Sequence, residues 1–269
     1  MPSAGEAGGH RTFHVPPPWP APGGELRLPS AEAAHAVRVL RLRPNDRVRL
    51  VDGTGSEGEA EVTRVGRNLL SVRLHAVRPG PAELPRPVRL ALPRLRSLAR
   101  LDWAIEKAVE IGVGAVDVFG AERSMKATPA GDESRCRRWR EIARSAMKQS
   151  GRAVWPPIVM HASVADLLAS TDAGAAVWVA DRAGRCAAGC DTPRRFASLL
   201  LLVGPEGGLS EREASLLQAR GAERIALAPH RLRAETAAVA LCAWAAGSEW
   251  AERADGRGGK GEHGEQLPA

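Results

Sequence analysis

Residues 88–250 constrain the fold most strongly, because short apolar runs alternate there with segments of helical periodicity. The apolar runs, which we interpret as strands, are VRLALP, AVDVF, PIVM, AAVWVA, Leu199–Val203 and RIALA. Strands that alternate with helices are typical of a mostly parallel sheet covered by helices on both faces. We therefore predict an α/β fold for this part of the chain.

Helices are predicted between these strands. Leu98, Leu101, Ile105, Ala108 and Ile111 recur at helical spacing, and the pattern stops before Gly112. Further helices are predicted over 135–150, over 163–170, after Ser210, and from about 234 to 250.

The first part of the chain follows a different pattern. A helix is predicted around 31–40. From residue 47, apolar and polar residues alternate with a period of two between glycine turns, which indicates short antiparallel strands. The segment 78–87 holds four prolines and one glycine and is interpreted as a linker. The predicted organisation is a flexible segment 1–9, a β-rich domain 10–78, a linker 79–87, an α/β domain 88–252 and a disordered tail 253–269.

The charge balance indicates a polyanionic partner. The chain carries 38 Lys and Arg against 31 Asp and Glu, a net charge of +7, which favours nucleic acid, although a genome rich in arginine could give the same excess. Its four cysteines lack zinc-site spacing and suggest a reducing compartment. No signal pattern or membrane-length apolar run is present, so we expect a cytoplasmic protein with no metal and no membrane contact.

Two strand–loop–helix junctions suggest a ligand site. LLVGPEGGLSEREA places a glycine turn after a strand and before a helix that Ser210 and Glu213 can cap. LAPHRLRAETAAVALCAW places Glu235 and Thr236 in the first turn of another helix, where capping alone would also explain them. The turn matches neither a dinucleotide fingerprint nor a P-loop. Because the carboxyl ends of parallel strands share one edge, both loops can border a single crevice.

The chain resembles the ribosomal RNA small subunit methyltransferase E family in these two stretches and in three further motifs: IEKAVEIGV, ERS at 122–124, and RVLR after His35. The resemblance runs from about Arg11 to Trp250. It implies a SPOUT-class enzyme that methylates N3 of a uridine in 16S rRNA of the small ribosomal subunit. The implied fold is a PUA-like β-barrel followed by an α/β domain with a deep trefoil knot, and the implied assembly is a homodimer.

The resemblance also implies the cofactor, S-adenosylmethionine, and the residues that bind it. The matching positions are Leu202, Val203, Gly204, Pro205, Glu206 and Gly207 in the first loop, and Leu227, Ala228, Leu232, Arg233, Glu235, Thr236 and Ala237 in the second. Candidate catalytic residues are Arg11, Arg182, Arg233 and Glu235, with an arginine favouring the uracil anion. Glu235 or Glu206 is the candidate base.

Candidate RNA contacts follow from the same resemblance. They are Arg11, His35, Arg41, Arg123, Lys126, Lys148, Gln149 and Arg152. Lys148 stands where the family usually has glutamate, and Ala234 stands where it commonly has threonine. The basic helix over 135–150 is expected to contact rRNA, although such a run can also be a solvated face. Trp139 within it is expected in the core, with stacking on a base as the alternative.

Two alternatives remain open at this stage. A basic RNA-binding module without catalysis explains the charge but not both cofactor loops. A SPOUT methyltransferase that acts on another RNA, such as a tRNA, would keep the loops and change the docking domain.

Overall fold

The computed structural model describes residues 11–124, 133–187 and 196–254. Within these ranges the chain forms two sheets, each with its own hydrophobic core. The expected flexible segment 1–9 and residues 255–269 of the expected tail lie outside the described residues. No helix in the described ranges is long and apolar enough to cross a membrane.

The N-terminal sheet consists of five strands with one helix packed against it. Its elements are β1 Thr12–His14, β2 Glu25–Arg27, α1 Ser30–Arg38, β3 Arg47–Val51, β4 Ser56–Gly66 and β5 Leu69–Pro79. The strand order is β1-β3-β4-β5-β2. The segments in which apolar and polar residues alternate form the antiparallel strands β3, β4 and β5, as predicted. Sequence analysis missed β1 and β2, which have three residues each and flank a proline-rich segment.

The C-terminal sheet has six strands, and every neighbouring pair is parallel, as predicted. Its strands are β6 Val88–Pro93, β7 Ala115–Phe119, β8 Ile158–His161, β9 Ala175–Cys186, β10 Ser198–Val203 and β11 Glu223–Ala226. Its helices are α2 Leu98–Ile111, α3 Glu133–Gln149, α4 Val164–Ala169, α5 Glu211–Ala219 and α6 Ala234–Ala254. The strand order is β11-β9-β10-β6-β7-β8, so the first strand of this sheet lies in its interior.

Local signals begin and end these helices where the sequence indicated. Ser97 accepts a hydrogen bond from the backbone N–H of Arg100 and begins α2. Gly112, with φ of 113°, ends α2 in the left-handed conformation that favours glycine. Ser210 and Glu213 form the expected reciprocal capping box at the start of α5.

Helices cover both faces of the C-terminal sheet. One face packs Leu90, Val116 and Leu201 against residues of α2, α3 and α6. The other face packs Ala91, Phe119 and Leu200 against α4 and α5. Successive side chains of a strand point to opposite faces, so a strand buried on both faces is apolar throughout, as Leu199–Val203 is.

Candidate functional site

Three helices of the C-terminal sheet begin at the same edge. Strand β6 leads through a loop into α2, β10 leads into α5, and β11 leads into α6. These strands all run parallel. We call the edge at the carboxyl ends of these strands the carboxyl edge. In open α/β sheets, ligands bind in the crevice outside this edge.

The first loop, residues 204–208, follows β10 and is constrained at Gly207 and Gly208. A Cβ atom added to Gly207 would lie 3.1 Å from the carbonyl oxygen of Arg123, so the loop packs tightly against the segment after β7. Gly208 has φ of +74°, a conformation that L side chains rarely adopt. The buried Glu213 carboxylate accepts hydrogen bonds from the backbone N–H groups of Ser210 and Glu122, at 2.8 and 2.9 Å.

A direct hydrogen bond joins the two loops. Nη2 of Arg231, in the loop after β11, donates to the carbonyl oxygen of Glu206 at 2.6 Å. The structure therefore brings both sequence-predicted loops to one place on the carboxyl edge, as the parallel sheet required.

The second loop enters α6 with a buried carboxylate. Ala234, Glu235 and Ala237 are buried, whereas Arg233 and Thr236 are exposed. Oε1 of Glu235 lies 3.4 Å from Nε of Arg100. The other oxygen, Oε2, is fully buried and has no hydrogen-bond partner among the described residues. By contrast, the other candidate base, Glu206, is exposed.

The candidate catalytic arginines do not all lie at this edge. Ala180 of β9 pairs with Val203, the last residue of β10, so Arg182 lies two residues beyond the end of β10 and is exposed. Arg233 is exposed in the second loop. Arg11 precedes β1 in the N-terminal sheet, where its Nη1 lies 3.5 Å from Oδ1 of Asp46. No described contact joins Arg11 to either loop.

The carboxylate of Asp181 in β9 is paired with Arg224 of β11. Nε of Arg224 donates to Oδ2 of Asp181 at 2.7 Å. This hydrogen bond lowers the pKa of Asp181 below its usual value, even though partial burial opposes the change. The Asp181 charge is thus held beside Arg182 at neutral pH.

The candidate RNA-binding residues fall into three groups. Arg11, His35, Arg41, Arg123 and Gln149 are exposed. Lys148 and Arg152 have partners within the chain: Nζ of Lys148 lies 2.7 Å from Oε1 of Glu32, and Nη1 of Arg152 donates to the carbonyl oxygens of Val109 and Val113.

The third group is Lys126 alone, which lies outside the described residues. Contact of any of these residues with rRNA stays a prediction.

The basic helix α3 has one exposed charged side and one buried side. Arg138 pairs with Asp102, Arg140 with Glu133 and Arg144 with Glu141. Trp139 is 2% exposed and its indole N–H donates to Oδ1 of Asp102 at 3.0 Å, so its predicted core position is confirmed. On the neighbouring helix α2, Lys107 pairs with Glu110 at i,i+3.

Sequence reasoning missed Arg100, Arg231 and the link from Glu213 to Glu122. Arg100 lies in the first turn of α2, where a cation opposes the helix dipole. This unfavourable position of a cation, in the helix that follows β6, was the one sequence signal that could have identified Arg100 as a candidate site residue.

The carboxyl edge fits a small adenosyl ligand. Glycine backbone allows close approach, half-buried Leu227 and Leu232 supply apolar surface, and Oε2 of Glu235 lacks a donor. The described residues contain no cluster of His, Cys, Asp and Glu that could hold a metal ion.

Comparisons with known proteins agree with this site. A family model described as an RNA methyltransferase domain matches residues 82–246, and one described as an RNA methyltransferase PUA domain matches residues 28–74. The ribosomal RNA small subunit methyltransferase E of Mycobacterium bovis is 34% identical over 229 residues, which cover 82% of this chain and 85% of that protein.

Solved structures show the same fold. A ribosomal RNA small subunit methyltransferase E from Neisseria gonorrhoeae, bound to S-adenosyl methionine, has a TM-score of 0.78 and 28% identity, covering 87% of this chain and 95% of that chain. A Legionella pneumophila methyltransferase has a TM-score of 0.79 at 24% identity, covering 90% of this chain and 97% of that chain. The predicted class is confirmed: a SPOUT methyltransferase fold with an N-terminal PUA-like domain.

Proposed function

This chain belongs to the ribosomal RNA small subunit methyltransferase E family, and we propose that it uses S-adenosylmethionine to methylate N3 of a uridine in 16S rRNA. The observation that carries the proposal is the convergence of the two loops, joined by the hydrogen bond from Arg231 to the carbonyl oxygen of Glu206. An RNA-binding module without catalysis has no need of this paired arrangement.

The two loops form the proposed cofactor site. Backbone groups of Leu202–Gly207 and the apolar surface of Leu227, Ala228 and Leu232 contact the adenosine and methionine parts, with Arg233, Thr236 and Ala237 completing the site. When bound, S-adenosylmethionine supplies the methyl group, as its carbon–sulfur bond breaks with the electron pair staying on sulfur.

Glu235 is the proposed proton acceptor. The N3 nitrogen of uracil reacts as the anion, so its proton must leave before or during transfer. Of the two candidate bases, Glu235 is buried with an unpartnered oxygen at the carboxyl edge, whereas Glu206 is exposed.

Arg182 and Arg233, exposed at the same edge, would stabilise negative charge on the uracil oxygens or hold phosphate. The target uridine must be unpaired or flipped out for N3 to be reached.

The N-terminal sheet with α1, the segment after β7 and α3 form the proposed rRNA surface. Arg11, His35, Arg41, Arg123 and Gln149 present exposed polar or cationic groups that can contact phosphate or base. Residues 10–78 would act as the docking domain and 88–252 as the catalytic domain. We further propose a cytoplasmic homodimer acting on the small ribosomal subunit.

Calorimetric titration with S-adenosylmethionine tests the proposed site. Wild-type protein should bind, and Gly207→Arg should abolish binding, because a Cβ atom at Gly207 already lies 3.1 Å from the Arg123 carbonyl oxygen and the arginine adds a long charged side chain to the proposed cofactor loop. Gly174→Arg is the matched control: it makes the same change in an exposed turn before β9, at the opposite edge of the sheet. Retained binding in Gly207→Arg would contradict this site, and equal loss in both variants would show that the effect is not specific to the loop.

Methylation of isolated small ribosomal subunits tests the substrate. Mass mapping of 16S rRNA should find one N3-methylated uridine with wild-type protein and none with Gly207→Arg. Cofactor binding without rRNA methylation, but with methylation of tRNA, would favour the alternative substrate class. A well-folded protein that does not bind the cofactor would favour the RNA-binding module.

A further inference from the structure

Arg100 extends from the first turn of α2 towards the second loop. The Ser97 side chain accepts a hydrogen bond from the Arg100 backbone N–H, which fixes this turn. Nε of Arg100 lies 3.4 Å from Oε1 of Glu235, and the two side chains are 41% and 10% exposed. A guanidinium from one helix start thus meets a carboxylate from another at the carboxyl edge.

The geometry of Glu235 leaves one oxygen unused. Oε1 faces Arg100, while Oε2 is fully buried and has no hydrogen-bond partner among the described residues. A buried polar atom without a partner is costly, and native structures rarely retain one without a reason. An oxygen in this state at a ligand-binding edge is suited to accept a proton or hydrogen bond from a bound group.

We propose that Arg100 is a positioning residue that holds the Glu235 carboxylate by Oε1, so that Oε2 faces the N3–H group of the bound uracil. This inference rests on the proposed function. The N3 proton passes to Oε2, and the electron pair left on N3 forms the bond to the incoming methyl carbon. Glu235 ends protonated and later returns its proton to solvent.

Arg100 has a role here because a carboxylate group rotates easily. The terminal torsion of glutamate has broad, two-fold preferences, so burial alone does not fix which oxygen faces the substrate. An ion pair to one oxygen favours the orientation in which that oxygen stays beside the guanidinium. Since Arg100 is partly exposed, solvent screening limits what the same contact adds to the stability of the fold.

Steady-state kinetics of four variants test this role. Arg100→Gln should lower kcat for rRNA methylation by about tenfold to a hundredfold through misplacement of the base. Arg100→Lys, which keeps the charge, should recover most of that loss. Glu235→Gln should lower kcat by about a hundredfold or more. The double variant Arg100→Gln/Glu235→Gln should be no slower than Glu235→Gln, because residues that act as a unit are not additive.

Two measurements independent of turnover separate positioning from folding and from cofactor binding. The calorimetric Kd of Arg100→Gln for S-adenosylmethionine should equal the wild-type value. Its Tm should fall, because the buried Glu235 carboxylate loses its ion pair, but should stay well above the assay temperature. Arg220→Gln is the matched control, since Arg220 donates to the carbonyl oxygens of Asp172 and Ala173 at the opposite edge of the sheet. This control should leave kcat unchanged.

Several results would overturn the role of Arg100 while leaving the proposed function in place. These are an unchanged kcat in Arg100→Gln, a rise in the KM for rRNA alone, additive losses in the double variant, or a lower Tm that accounts for the lost activity. Wild-type protein that binds the cofactor and methylates no small-subunit rRNA would instead overturn the proposed function, and the role of Arg100 with it.

Discussion

His14 shows how one residue can couple the fold to pH. Its Nε2 lies 3.3 Å from the carbonyl oxygen of Asp52, and its ring packs edge-on against Trp155 with centroids 5.2 Å apart. Burial, reinforced by the nearby Arg144 cation, lowers the pKa of His14 below 6.5. Lys148 acts in the same direction, whereas Glu32 and the Asp52 carbonyl oppose the change. The folded protein therefore favours the neutral ring.

Replacing His14 should weaken the loss of stability in mild acid. Because the unfolded chain takes up a proton near pH 6.5 and the folded chain does not, the wild-type free energy of unfolding should fall as the pH drops below about 6.5 towards the lower pKa of the folded state. His14→Gln should give a shallower decline between pH 7 and 5, measured by urea unfolding. The exposed His75→Gln serves as a control. Equal declines for wild type and His14→Gln would contradict this explanation.

At the scale of elements, three parallel strands are joined by side chains as well as by backbone. Asp117, in the middle of β7, is completely buried and accepts two hydrogen bonds from Arg89 of β6, at 2.7 and 3.0 Å. His161, the last residue of β8, places Nε2 2.7 Å from Oδ1 of the same carboxylate. The run AVDVF predicted a strand, but the partners of its aspartate depend on which strands flank it.

Asp117→Asn should destabilise the C-terminal sheet. Asparagine keeps one acceptor oxygen but removes the charge that pairs with Arg89, which is 25% exposed and also donates to the Ser170 carbonyl oxygen, so the cost should be about 1–3 kcal/mol. Chemical unfolding should show this loss as a lower midpoint with an unchanged slope. Asp172→Asn, in an exposed turn, should change stability by less than about 0.5 kcal/mol. A similar small effect at Asp117 would mean that the buried charges contribute little.

At the scale of the whole molecule, the segment between α3 and β8 fastens the two sheets together. Nη2 of Arg49 in β3 donates to the carbonyl oxygen of Gly151 at 2.8 Å, and Gly53 forms a bridge with Val154. Close by, Lys148 of α3 pairs with Glu32 of α1, whose side chain is 2% exposed. These contacts hold the proposed docking surface in a fixed relation to the carboxyl edge.

Reversing the Glu32–Lys148 pair should test this connection. Lys148→Ala should cost about 3–5 kcal/mol, because it leaves a buried carboxylate unpaired, and Lys148→Glu should cost more. The double variant Glu32→Lys/Lys148→Glu should recover much of the loss, and a double-mutant cycle in urea gives the coupling free energy. A double variant as unstable as the sum of its parts would show that the two side chains do not depend on each other.

The sequence predicted most of the elements of this fold because the signals for them are local. The helix α2 was predicted from apolar spacing and Gly112, which act within a few residues of one another. The same holds for α5 and for the Leu199–Val203 strand. Short β1 and β2 were missed, since three residues carry little periodicity and pairing with β3 and β5 defines them.

The two candidate loops, and the inference that they share one edge, also came from the sequence alone, because parallel strands force their carboxyl ends together. The tertiary structure alone decided the strand order, the pairing of Lys148 with Glu32, and the meeting of Arg100 with Glu235. Residues 100 and 235 are distant in the chain, and their contact depends on how α2 and α6 pack on one face of the sheet. Local sequence fixes what each element is, whereas long-range packing fixes which charges face each other.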